Sequence, residues 1–229
     1  GAFDHARENN SRVHLVGLLT SGTAHADFSH IIALLALARQ KEWPETYLHL
    51  FLDGKDSGLQ EAPMILTKLK MEIESKGYGK IATLIGRNFA MDRDNNWDLT
   101  RQAYELLVNG KGESSDDYLA TIKSRYELGQ NDSTMTAIVI ADSSFKDMAD
   151  NDAVIFFNFR EDSMRQILKP FVEDNFSLFP IKKIESIYVA TTTQYLENTA
   201  AKVAFMPPII ANGLAETLEV SDKKQLHVA

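Results

Sequence analysis

The sequence predicts an α/β fold in three layers, with helices on both faces of a mainly parallel central sheet of about five or six strands. Short continuous apolar runs alternate with segments of helical periodicity, and each run leads into a loop of small and charged residues. At 229 residues, with 44% hydrophobic and 24% charged side chains, the chain can bury one sizeable core.

In chain order, Gly1 to Arg12 is a polar lead-in, irregular or helical, and Val13 to Leu19 is an apolar run suited to a buried strand. The small-residue loop from Thr20 to Asp27 feeds an amphipathic helix over Phe28 to Gln40, so a strand, a turn and a helix N-terminus together make an anion pocket. His25 in that loop is either a surface histidine or a proton-transfer and hydrogen-bonding group. A second unit repeats the plan: strand Thr46 to Leu52, loop Asp53 to Gly58, helix Ala62 to Lys76. Asp53-Gly54 reads as a tight turn. A third runs from strand Lys80 to Ile85, through the polar stretch Gly86 to Trp97, into a helix from Trp97 to about Val108. That stretch holds Arg87, Arg93 and three aspartates at a strand end, and is either a solvated loop or a ligand site.

Beyond Gly110-Lys111-Gly112 a short helix is expected from Ser115 to about Glu127, a short strand over Thr136 to Ala141, and an acidic turn from Phe145 to Asp152. Ala153 to Phe159 is a strong buried-strand pattern that ends in Arg160-Glu161-Asp162, with a helix from Ser163 to about Val172. Arg165 there is either a helix-surface partner of Glu161 or Asp162, or a ligand group. A strand over Ser186 to Thr192, a helical piece around Glu197 to Ala201, a helix over Leu214 to Val220 and a strand from Gln225 to Ala229 complete the pattern. Stopping on an apolar strand suggests a boundary cut through something larger.

Composition excludes several classes. A net charge of −8 argues against a nucleic-acid or anionic-membrane binder, no run of about 18 apolar residues exists, and no cysteine is present for a disulfide, a thiolate metal site or a cysteine nucleophile. No phosphate loop, dinucleotide fingerprint, nucleophile elbow or histidine-rich metal constellation occurs. What remains is a set of strand ends carrying His25, Lys55, Asp56, Arg87, Arg93 and Arg160. In a parallel sheet they converge on one edge. Guanidinium groups pair bidentately with phosphate and carboxylate, so the expected ligand is a small, multiply anionic molecule; Asp56 among the cations is a carboxylate available for proton exchange with a hydroxyl.

The segments Gly17 to His25, Phe51 to Asp56, Gly86 to Trp97 (with Ala90 to Asp94 the most specific piece) and Phe156 to Arg160 resemble, in order and spacing, the cofactor-independent (2,3-bisphosphoglycerate-independent) phosphoglycerate mutases. The likeness is to their substrate-binding, or phosphotransferase, domain, and it spans nearly all of residues 1–229; Lys224 to Ala229 looks like the strand leading back to the family's metal-binding domain. The resemblance implies interconversion of 3- and 2-phosphoglycerate in cytoplasmic glycolysis and gluconeogenesis. A serine on the separate, phosphatase-like domain, absent here, carries the phosphoryl group with the help of two divalent cations, manganese among them; this domain binds no cofactor itself and is inactive alone. Position by position, Asp56 matches the acid/base carboxylate, His25 the pocket histidine, Lys55 a substrate-binding basic residue, Arg87 and Arg93 the glycerate-binding arginines, and Arg160 the first of a phosphate-binding pair. The partners implied are phosphoglycerate and the metal-binding domain of the same protein.

Several positions depart from that pattern. Asp27 stands for a second histidine, Thr20 to Ala24 replaces a more acidic, glycine-rich turn, Lys55 replaces an arginine, and Ser163 replaces the second phosphate-binding arginine. These departures support an alternative, a degenerate paralogue that binds another phosphorylated or carboxylated metabolite or serves as a non-catalytic interaction domain.

Overall fold

The computed structural model describes residues 1–208 and 211–226. Eight strands form one sheet in the order β4-β5-β3-β2-β1-β6-β7-β8. At its centre lie β1 (Val13–Leu19), β2 (Thr46–Leu52), β3 (Lys80–Gly86) and β6 (Ala153–Phe156), all parallel. β7 (Tyr188–Thr193) and β8 (Lys202–Phe205) continue in parallel on one side. On the other, β5 (Ile138–Ile140) runs antiparallel to β3 and parallel to β4 (Glu113–Ser115). The sheet is thus mainly parallel but longer than the five or six strands expected.

All seven residues of β1 and of β2 are buried, as a strand covered on both faces requires. The crossover helices α2 (Phe28–Gln40) and α3 (Ala62–Lys76) follow β1 and β2 and pack on each other. The chain then winds the opposite way through β6, α7 (Arg165–Val172) and β7, and right-handed crossovers place α7 on the other face, where it meets α5 (Trp97–Asn109). The lead-in is the helix α1 (Ala2–Asn9) against β6 and β7. Asp27 caps α2 by accepting the Ser29 N–H at 2.8 Å, and Gly77 and Gly110 end α3 and α5 in left-handed conformation.

Three sequence expectations change. The stretch after β3 is not all loop, because Arg87–Ala90 forms a one-turn helix, α4. The helix expected from Ser115 begins at Tyr118, as α6 (Tyr118–Glu127), since residues 113–115 pair with β5. The helix expected over residues 197–201 is a series of bends that lead into β8. α8 (Leu214–Val220) is present and buries none of its residues, and the final strand expected over residues 225–229 falls largely outside the described residues.

The base of the central strands holds a buried polar chain. Asp152 accepts from Arg12 and lies 3.1 Å from His14 Nε2; His14 Nδ1 is 2.9 Å from His49 Nε2, and His49 Nδ1 is 2.8 Å from Thr83 Oγ1. Phe145 closes over both imidazoles edge-on. Hydrogen bonding offsets the cost of burying these groups.

Candidate functional site

Because β3, β2, β1 and β6 are adjacent and parallel, their C-terminal ends open on the same edge. Strand order reverses direction between β1 and β6, where open sheets of this kind bind ligands. A cavity of about 580 Å³ lies at this edge, lined among others by His25, Lys55, Asp56, Arg87, Arg93 and Arg160. His25 comes from the loop after β1, Lys55 and Asp56 from the turn after β2, Arg87 and Arg93 from α4 and its following loop, and Arg160 from the end of β6. All six residues expected at the strand ends are therefore brought together. Arg165 is not among them: it pairs with Glu161 at 3.2 Å on the helix surface.

Two carboxylates that sequence reasoning did not single out organise the cations. Asp53, only 2% exposed, accepts from Thr20 Oγ1 at 2.5 Å, from Arg87 Nη1 at 2.5 Å, and from the backbone N–H groups of Lys55 and Asp56. The same Arg87 nitrogen donates to Asp56 Oδ2 at 2.7 Å. Asp53 is thus the hub that joins the β1 and β2 loops to α4. Burial pushes its pKa up, but the hydrogen bonds from Thr20 and Arg87 outweigh this and leave it lowered. A turn starting with aspartate just past a buried strand was the available signal.

The second is Asp162. Its Oδ2 accepts from Arg93 Nη1 at 2.5 Å and from Arg160 Nη2 at 2.9 Å, and its Oδ1 accepts from the Ser163 backbone N–H at 2.8 Å and from Ser163 Oγ at 3.2 Å. Burial raises its pKa, yet the Ser163 N–H and Arg160 bring it below the ordinary value.

His25 sits between the acidic groups, its Nε2 3.8 Å from Asp56 and its Nδ1 3.8 Å from Asp162, with Nδ1 buried and without a hydrogen-bond partner. Burial first, and Arg87 second, hold its pKa below 6.5, so the imidazole is neutral at pH 7. Lys55 is exposed and, among the described residues, has no ion pair.

Close backbone approaches fix these loops. Gly54 has φ +65°, and a Cβ there would lie 2.8 Å from the Ser133 nitrogen; a Cβ on Gly22 would lie 2.6 Å from the Asp56 carbonyl oxygen. The fully buried Asn158 accepts the Leu18 N–H at 2.9 Å, and its own carbonyl accepts from the Tyr195 hydroxyl, tying β6 and β7 to the end of β1.

No three His, Cys, Asp or Glu side chains converge as a metal-holding group among the described residues. The chemistry available to the cavity is gripping an anion by lysine and arginine, and exchanging protons through Asp56 and His25.

Residues 1–197 match the family described as BPG-independent PGAM N-terminus (iPGM_N). The chain belongs to this family. It is 37% identical along its whole length to the 2,3-bisphosphoglycerate-independent phosphoglycerate mutases of Escherichia coli (strain K12) and of Shigella boydii serotype 4, covering 45% of each. It therefore spans a little under half the length of these relatives. A crystal structure of Leishmania mexicana phosphoglycerate mutase, determined at low cobalt concentration, superposes with a TM-score of 0.85 at 21% identity, over 96% of this chain and 43% of that one, and so shares the fold. In this structure Ser163 is 4% exposed, and its hydroxyl turns to Asp162.

Proposed function

We propose that this chain is the substrate-binding part of a phosphoglycerate mutase that interconverts 3- and 2-phosphoglycerate in the cytoplasm through a phosphoserine carried elsewhere in the protein. The observation that carries the reading is the convergence of Lys55, Arg87, Arg93 and Arg160 with Asp56 and His25 on one cavity. Arg87 and Arg93 hold the glycerate carboxylate and hydroxyls, while Arg160 and Lys55 meet the phosphoryl oxygens. Asp56, held by Arg87 and 25% exposed in its side chain, exchanges a proton with the glycerate hydroxyl that gains or loses the phosphoryl group. The neutral His25 supplies a donor or acceptor beside it. The nucleophilic serine and two divalent cations, manganese among them, belong to the metal-binding partner domain, whose chemistry is to activate the serine and neutralise the transferring group.

A degenerate paralogue that binds another phosphorylated or carboxylated metabolite is the second reading, favoured by Ser163, which offers no positive charge where the family's arginine would. Assays of the full-length protein with manganese and 3-phosphoglycerate separate the two. Formation of 2-phosphoglycerate that is abolished by Asp56→Asn is the expected outcome. Absence of turnover at every metal concentration sinks the mutase reading.

A further inference from the structure

Three of the four cations of the cavity, Arg87, Arg93 and Arg160, are already paired with acids. Asp56, Asp92 and Asp94 line it together with the four basic side chains, and Asp53 and Asp162 stand immediately behind. An incoming anion meets no surplus of positive charge unless one of these carboxylates yields. The ion pairs differ in how readily they can do so. Arg87–Asp53 is buried, with side chains 8% and 1% exposed, and losing either partner strands a charge. Arg93–Asp162 and Arg160–Asp162 involve arginines 55% and 46% exposed, so solvent screens them and they exchange at little cost.

We propose that Asp162 is the internal counter-anion of the pocket, and that a phosphate or carboxylate oxygen binds by displacing its Oδ2 from between Arg93 and Arg160. This rests on the reading of the cavity as an anion site. One oxygen bridges two guanidinium groups that arrive from different loops, the place an external anionic oxygen would take. The other oxygen has separate holders, the Ser163 N–H and hydroxyl, so the carboxylate stays anchored when the bridge opens. The unpartnered His25 Nδ1, 3.8 Å from Oδ1, lies where a shift of about an ångström would complete a hydrogen bond of ordinary length. Ser163 thereby acquires a role: it retains the displaced carboxylate. Lys55, unpaired among the described residues, supplies the first attraction.

Calorimetric titration of the 229-residue chain with inorganic phosphate, and with acetate as the carboxylate arm, tests this. Asp162→Asn keeps the Oδ1 acceptor and removes the competing charge, and it should tighten phosphate binding about tenfold, equivalent to ~1.4 kcal/mol. Asp94→Asn makes the same charge change in the same cavity without touching the bridge, and it should alter binding by no more than about twofold. Tightening of acetate as well assigns the place to any anionic oxygen; tightening of phosphate alone assigns it to a phosphoryl group. Equal effects of the two variants, weaker binding by Asp162→Asn, or no binding by either protein overturns the proposal. Phosphate binding that is indifferent to Arg93→Ala instead overturns the underlying assignment of the cavity as an anion site.

Discussion

Replacing Arg87 by alanine removes the guanidinium that, alone among the described residues, touches both Asp53 and Asp56. Asp53 has a side chain 1% exposed, so it cannot recover its lost partner from bulk water, whereas Asp56 at 25% partly can. Breaking a buried pair costs about 3–5 kcal/mol, and the partial rehydration of Asp56 points to the lower end, ~3 kcal/mol. With a urea m-value of about 3 kcal/mol/M, the unfolding midpoint should fall by about 1 M at pH 7. The pH dependence gives a second, sharper reading. Asp53 has a lowered pKa in the folded state, so its contribution is present above the unfolded carboxyl value of about 3.9 and is lost as pH falls through the folded value. Without Arg87 the hydrogen bonds from Thr20 and the Asp56 N–H remain, but the Arg87 hydrogen bond and charge that also hold the Asp53 carboxyl down are lost, so its pKa should move up toward the unfolded value. The gap between wild type and Arg87→Ala should therefore be widest near neutrality and narrow below about pH 4. Arg87→Lys, a point charge able to serve one aspartate at a time, should lose about half as much. A midpoint shift under about 0.3 M, or a gap of equal size at about pH 2 and pH 7, would refute the assignment of Asp53 and Arg87 as the electrostatic hub.

Gly54→Ala places a side chain at φ +65° against the Ser133 backbone; it should cost about 1–3 kcal/mol in urea unfolding and weaken phosphate binding, because the turn it distorts carries Lys55 and Asp56. Unchanged binding would mean that the turn's position is immaterial to the pocket. Asp152 has its pKa lowered to about 2 despite burial, chiefly by the His14 hydrogen bond, so Asp152→Asn should cost about 2–3 kcal/mol at pH 7. That deficit should hold down to about pH 4 and close toward pH 2; unfolding midpoints that stay parallel over the whole range would contradict it. Tyr195→Phe removes the donor to the Asn158 carbonyl at a residue 2% exposed, and a loss of about 1–2 kcal/mol by thermal or urea melting is expected, with a loss near zero counting against the tie.

The elements most legible in the sequence were those whose environment is uniform. β1 and β2 are covered on both faces, so their apolar runs have clean ends, and the bounds of α2, α3 and α8 read directly from helical periodicity and breakers. The edge strands were not legible. Glu113-Ser114-Ser115 has no strand propensity and is extended only because β5 pairs with it, and β8 leaves Lys202, Ala204 and Phe205 exposed. The residue types of the site could be read, since charged groups clustered after each predicted strand. Their partners could not. Whether Asp162 meets Arg165 three residues along its own chain or Arg93 sixty-nine residues away depends on which strands are neighbours, and no local pattern records that.

The buried chain at the base of the sheet also has a direction. Asp152 can only accept, so His14 Nε2 carries a hydrogen and, both imidazoles being neutral, His14 Nδ1 must accept from His49 Nε2 and His49 Nδ1 from the Thr83 hydroxyl. Each of three neighbouring strands contributes one link, and each link is met in only one alignment of those strands. Sliding β2 by one residue against β1 would turn His49 to the opposite face and strand both His14 Nδ1 and Thr83 in an apolar interior. Apolar side chains along these strands are nearly interchangeable in such a slip, but this directional relay is not. It works as an alignment key, allowing β1, β2 and β3 to lock only in the register that brings the ends carrying His25, Asp56 and Arg87 level with one another.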